Sequence, residues 1–132
     1  FEVIGKVVAE ARKMGVPDGN LYIDPLAMTI STNTQSAAIA FETMRRVRQE
    51  IPEAHLTIGL SNISFGLPAR SFVNRYFLSL AIQNGLDSAI LDPLDREIQA
   101  AILTTELLLG QDKHCLSFIR ASRKGIFDKP GE

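Results

Sequence analysis

The sequence predicts an α/β chain in which short parallel strands alternate with helices. Three observations carry this expectation. Apolar runs recur every roughly 30–35 residues, the spacing of strand–helix units. Between the runs, apolar residues fall at helical intervals. The runs themselves are continuous rather than alternating, as in strands covered on both faces.

Each element follows from its residues. Residues 2–14 place Val3, Ile4, Val7, Val8, Ala11 and Met14 on one helical stripe, which Val16-Pro17-Asp18-Gly19-Asn20 ends with turn chemistry. Leu21-Tyr22-Ile23 is the first strand, and Pro25 keeps Asp24 out of a helix. The loop 29–34, rich in Ser, Thr and Asn, offers N-caps to a second helix. That helix carries Ala37, Ala38, Phe41, Met44, Val47 and Ile51 inward, with Arg45, Arg46, Arg48 and Glu50 on its wet side. Leu56-Thr57-Ile58-Gly59-Leu60 reads as the second strand and 61–68 as a long loop. A helix starting near Ser71 turns Phe72, Val73, Tyr76, Phe77 and Leu80 to one face and stops at Asn84-Gly85. Ser88-Ala89-Ile90-Leu91 is the third strand. After it, Asp92 or Asp95 caps a helix with Ile98, Ala101, Ile102, Thr105, Leu108 and Leu109 inward and Gly110 as its stop. A short helix over 115–122, then Lys124-Gly125 and a polar end, complete the order α-β-α-β-α-β-α.

Composition narrows the function. The 132 residues, read as one domain over 1–132, are 45% hydrophobic and 22% charged, with a net charge of −1. That balance gives no basic footprint for nucleic acid and no polybasic patch for a membrane surface. No apolar run approaches the roughly 20 residues of a membrane span, and no signal peptide opens the chain. One cysteine, Cys115, fits a reducing cytoplasm. The chain opens on Phe1 rather than Met, which suggests a missing upstream part. Three parallel strands alone would have bare edges. The chain therefore either pairs with a copy of itself or, as we expect, belongs to a larger barrel.

In βα repeats the working groups gather where strands end. Asp24, Asn62 and Asp92 hold that position after the three strands. Each residue singly reads as a helix cap or turn former; three in corresponding places also point to a site. His55 and the neighbours His114 and Cys115 lack metal-ligand spacing and read as structural. The segment from Gly59 to Gly66 lacks the lysine of a phosphate loop. The arginines 45, 46 and 48 read as a solvated face, with a docking surface as the lesser alternative.

Leu21-Tyr22-Ile23-Asp24-Pro25, Gly59-Leu60-Ser61-Asn62-Ile63-Ser64, Asn74-Arg75 and Gly85-Leu86-Asp87-Ser88-Ala89-Ile90 together resemble the methyltetrahydrofolate–corrinoid methyltransferases and the folate domain of cobalamin-dependent methionine synthase. The resemblance implies a partial (β/α)8 barrel, its last three strands with their helices, from a pterin-binding enzyme. It implies an enzyme that moves the N5 methyl group of methyltetrahydrofolate to or from the cobalt of a corrinoid (cobalamin) held by a partner protein, with no metal of its own. By position, Asp24 matches the aspartate on the pterin's pyrimidinone edge and Asn62 the asparagine near N5. Gly59 and Ser61 match positions packed on the pterin, Ile90 an apolar wall, and Arg70 a contact for the anionic tail.

The chemistry suits those residues. A carboxylate accepts two adjacent N–H donors, and an amide can follow a change of charge at N5. Phe65 departs from several relatives, which carry a polar residue there. The family's aspartate and asparagine on earlier strands have no counterpart, so these residues alone are expected to be inactive. A homodimer in the cytoplasm is the implied setting. Dihydropteroate synthase is a weaker match, because its Ser-Arg-Lys stretch is replaced by Ser61-Asn62-Ile63; here Ser122-Arg123-Lys124 lies in the tail. A half-barrel acting only as an interaction module is the non-enzymatic alternative.

Overall fold

The computed structural model describes residues 1–129; the last residues of the polar tail lie outside them. The chain forms two compact units, 1–91 and 92–132.

The first unit contains α1 (Glu2–Lys13), β1 (Tyr22–Ile23), α2 (Ser36–Glu50), β2 (His55–Leu56) and α3 (Arg70–Gln83). β1 and β2 are parallel, with Tyr22 beside His55 and Ile23 beside Leu56. The expected third strand is present only as a parallel bridge between Gly59 and Ile90, held by Ile90 N–H to the Ile58 carbonyl (2.7 Å) and Leu60 N–H to the Ile90 carbonyl (3.1 Å). β2 is also shorter than expected. From Leu60 to Ser64 the chain coils into a 3₁₀ turn, so the loop after it begins one residue early.

Helices cover one face of this sheet. Ile23, Leu56, Ile58 and Leu60 are buried, and they share their core with Ala40, Met44, Val47, Phe77, Leu78 and Ala81. Truncating a fully buried member such as Met44 or Ile58 should cost about 2–5 kcal/mol. The other face is open: Tyr22 is 65% and Ile90 77% exposed, and Gly59 is exposed. Continuous apolar strands had suggested cover on both faces, and only one has it among the described residues.

The same asymmetry corrects three helical stripes. On α3 the buried residues are Phe77, Leu78 and Ala81, whereas Phe72, Tyr76 and Leu80 face solvent. On α1 only Val8 is buried, and on α2 Ala40 replaces Ala38. No side chain caps α2; Asn33 instead accepts from the Gln35 N–H, and Ser36 donates to the Thr29 carbonyl.

The second unit contains α4 (Arg96–Leu108) and α5 (Leu116–Arg123). Of the two candidate caps for α4, Asp95 accepts from the N–H groups of Glu97 and Ile98, a contact worth about 1 kcal/mol. Asp92 instead accepts from Leu94 N–H (2.9 Å) in a tight turn. Ile98 and Thr105 are buried, but Leu108 and Leu109 are exposed. Before α5, His114 and Cys115 both adopt left-handed backbone, and Asp112 receives the Ser117 and Phe118 N–H groups. Phe118 packs on Phe127 at 4.6 Å.

Candidate functional site

The C-terminal end of the sheet brings together Asp24 and Asn62, two of the three strand-end residues that the sequence singled out. Asp24 follows β1, and the register places it beside Thr57 of the neighbouring segment. One carboxylate oxygen accepts the Leu26 N–H at 2.8 Å; the other has no partner among the described residues. Leu26 itself sits at φ 55, an uncommon conformation for a branched side chain. The Asp24 contact satisfies its N–H and holds that bend.

Asn62 is carried by the 3₁₀ turn after β2, and its amide NH₂ donates to the Ala27 carbonyl at 2.8 Å. The turn reaches the Asp24 loop at two further points. Ile30 N–H donates to the Ile63 carbonyl (3.1 Å), and the Ser31 hydroxyl donates to the Phe65 carbonyl (2.8 Å). Asp24 and Asn62 therefore stand on two loops bonded to each other at the same end of the sheet.

Gly59 and Ile90 are paired directly and share one side of the sheet. A Cβ added at Gly59 would meet nothing within 4 Å, so the backbone faces open space on the uncovered face. A flat ring could lie against it there, with the exposed Ile90 side chain as a wall. Ser61 is exposed, and its carbonyl accepts from Arg70 Nη2 at 2.8 Å. Arg70 also donates through Nε to the buried Ser64 hydroxyl at 3.0 Å and lies 5.8 Å from the Phe65 ring centre. Thr57, missed in the sequence, falls in the same row as Asp24; strand alternation from Gly59 was the signal that could have found it. Ser31 and the Ala27 carbonyl had no sequence signal, because their contacts are made by loops far apart in the chain.

The opposite end of the sheet holds a charged cluster that the sequence reading also missed. His55 and Asp87 share a hydrogen bond of 2.7 Å, and Asp87 also accepts the Leu56 N–H (2.8 Å). Arg48 lies 3.3 Å from the same carboxylate. Partial burial pushes the Asp87 carboxyl up, but His55, the Leu56 N–H and the Arg48 charge outweigh it and hold it below the ordinary carboxylate value. Arg48 is not a solvated side chain: it donates twice to the Gly85 carbonyl and once each to those of Ala54 and Pro52. Among the described residues no group of three or more His, Cys, Asp or Glu side chains could hold a metal ion, and no helix is long and apolar enough to cross a membrane.

A mouth at the strand ends with a free carboxylate oxygen, an amide and an uncovered glycine backbone suits a flat nitrogen heterocycle. The class is settled by comparison: the chain belongs to the pterin binding enzyme family, whose sequence profile matches residues 3–92. Among curated relatives, it is 40% identical over 124 residues to the methylcorrinoid:tetrahydrofolate methyltransferase of Eubacterium limosum, covering 94% of this chain and 46% of that protein. It is 39% identical over 82 residues to methionine synthase of Mycobacterium tuberculosis, covering 58% of this chain and 7% of that protein. Methionine synthase of Mycobacterium leprae matches at 38% over the same length. The chain thus spans about half the length of the first relative. The resemblance drawn from the strand-end motifs is borne out.

Proposed function

We propose that the protein to which these residues belong transfers the N5 methyl group of methyltetrahydrofolate to, or from, the corrinoid of a partner protein. The observation that carries the reading is the pairing of Asp24 and Asn62 on two hydrogen-bonded loops beside the open backbone of Gly59. The names of two relatives point the same way. In this reading the 132 residues are the last three strands of a (β/α)8 barrel, and the uncovered sheet face is the inner wall of that barrel.

The Asp24 carboxylate would receive the two N–H donors of the pyrimidinone edge, a charge-assisted pair that fixes the ring's orientation. Gly59 and Ser61 lie under the ring and Ile90 closes one side. Asn62 exchanges its bond to the Ala27 carbonyl for one to N5. As the N5–methyl bond breaks, its electron pair stays on N5, which takes a proton from water as the charge develops, with the Asn62 amide hydrogen-bonded there. A donor held there lowers the barrier by about 2.7–4 kcal/mol. A corrinoid carried by a partner protein would supply the electron pair that takes up the methyl carbon, or give the methyl back in the reverse direction, while Asp24 and Asn62 hold the pterin for the exchange. Arg70 retains Nη1 for the anionic tail. The enzyme holds no metal of its own and works in the cytoplasm as a homodimer; the exposed Phe72, Tyr76 and Leu80 of α3 are the surface offered to the second copy.

The test is methyl transfer from methyltetrahydrofolate to cobalamin by the protein at its natural length. Transfer is expected there and absent from the 132 residues alone, which span 46% of the methyltransferase relative. Formation of a pteroate product, or no turnover at natural length, would overturn the assignment.

A further inference from the structure

The turn that carries Asn62 is a five-residue 3₁₀ segment, Leu60–Ser64, within which the Ser64 hydroxyl donates to the Ser61 carbonyl at 3.2 Å. Phe65 N–H reaches the Asn62 carbonyl at 3.2 Å and Leu67 N–H the Ser64 carbonyl at 3.0 Å. Such a turn would place an amide loosely, whereas catalytic groups need to be held within about 0.5 Å. Two side chains from other parts of the chain bond to it and to its end. Arg70, at the start of α3, engages the Ser61 carbonyl and the Ser64 hydroxyl, so its planar fork spans the residues on either side of Asn62. Ser31, from the loop before α2, binds the Phe65 carbonyl just beyond the turn.

The close fit extends to Gly66. Its φ is +81, and a Cβ there would come 3.1 Å from the Ser31 hydroxyl, so a larger residue would be strained and would push the brace apart. None of these contacts touches Asp24 or the open face beside Gly59.

We propose that Arg70 and Ser31 are positioning residues that set the Asn62 amide for the reaction. This rests on the methyl-transfer reading above. Arg70 acts on the transfer step through the turn, separately from any contact it makes with the ligand's tail.

The experiment uses the protein at natural length with Arg70→Ala, Arg70→Lys, Ser31→Ala, Asn62→Ala and the Arg70→Ala/Asn62→Ala double variant. Backbone hydrogen exchange at Phe65 and Leu67 is measured without ligand. Single-turnover transfer to cobalamin and binding are measured with a tail-less methyltetrahydropterin. Both Arg70→Ala and Ser31→Ala should speed exchange at these amides by about tenfold or more, as local opening becomes easier. Each should slow transfer by up to about 100-fold while pterin affinity changes little. Arg70→Lys, which keeps the charge and protects against simple unfolding, should recover only part of the rate. On top of Asn62→Ala, Arg70→Ala should cost less than about twofold, because the two residues act through one group. An equal loss with and without Asn62, or unchanged exchange, would overturn the proposal. Faster exchange in variants of a wild type that neither binds pterin nor transfers methyl would instead strike the methyl-transfer reading and support the brace.

Discussion

The two ends of the parallel sheet in the first unit draw on similar side chains and use them differently. At the N-terminal end, Asp87 has His55, Arg48 and the Leu56 N–H, and Arg48 also reaches carbonyls of Gly85, Ala54 and Pro52. At the C-terminal end, Asp24 keeps one oxygen without a partner among the described residues, and Asn62 spends its NH₂ on a single carbonyl. A polar group fully matched inside the protein gives stability and has little left for a ligand. A group left half-matched gives up some stability and can bind. The saturated end is a clamp, and the unsaturated end is the one left able to take a ligand.

This contrast is open to test. The largest effect should come from the C-terminal end: Asn62→Ala is expected to slow methyl transfer by about 10²–10³-fold with thermal stability nearly unchanged. Equal loss of folding would erase the distinction between the ends. Arg48→Ala should do the reverse. It leaves the Gly85 and Ala54 carbonyls without their donor, so denaturant unfolding should show a loss of about 1–3 kcal/mol. Pterin affinity, measured by calorimetry, should hold.

Asp24→Asn is a finer probe. The amide oxygen can still accept the Leu26 N–H, so the turn survives, but one of two parallel acceptors for the pterin edge is lost. Affinity should fall about tenfold while stability shifts by under about 0.5 kcal/mol. A variant that binds as tightly as the wild type would remove Asp24 from the site.

The smallest effect is a pH dependence at the clamp. The Asp87 carboxyl is held below its ordinary value of 3.8, so its contribution is complete above that value and is lost as the pH falls through the lower folded value. Acid unfolding of Asp87→Asn should therefore show a shallower slope below pH 4 than the wild type, as about one titrating group is removed. An identical slope would mean that Asp87 is not part of the acid response.

The strand–helix alternation and the strand-end residues were legible from the sequence because both depend on local patterns. Asn84-Gly85 and Gly110 stop their helices where expected: Gly85 and Gly110 have φ of +107 and +74, which favours glycine. The motif Gly59–Ser64 was the most specific of the four stretches that together pointed to the family. What local pattern could not tell was which apolar face meets the core. Phe72, Tyr76 and Leu80 have the same helical spacing as a buried stripe, yet the core took Phe77, Leu78 and Ala81.

Arg48 makes the same point for polar groups. It lies beside Arg45 and Arg46 in sequence, but Gly85 leaves a gap into which it fits: a Cβ at Gly85 would come 2.5 Å from Arg48 Cγ. Sequence determined the periodicities, the turn chemistry and the types of residue at the strand ends, since each is set within a few neighbouring residues. Only the tertiary structure decided that Arg48 is a clamp, that one sheet face stays open, that the Asn62 amide meets the Ala27 carbonyl, and that Ser31 and Arg70 bond to the neighbours of Asn62. Most of those contacts join segments far apart in the chain, up to 39 residues for Arg48 with Asp87, and no local rule specifies them.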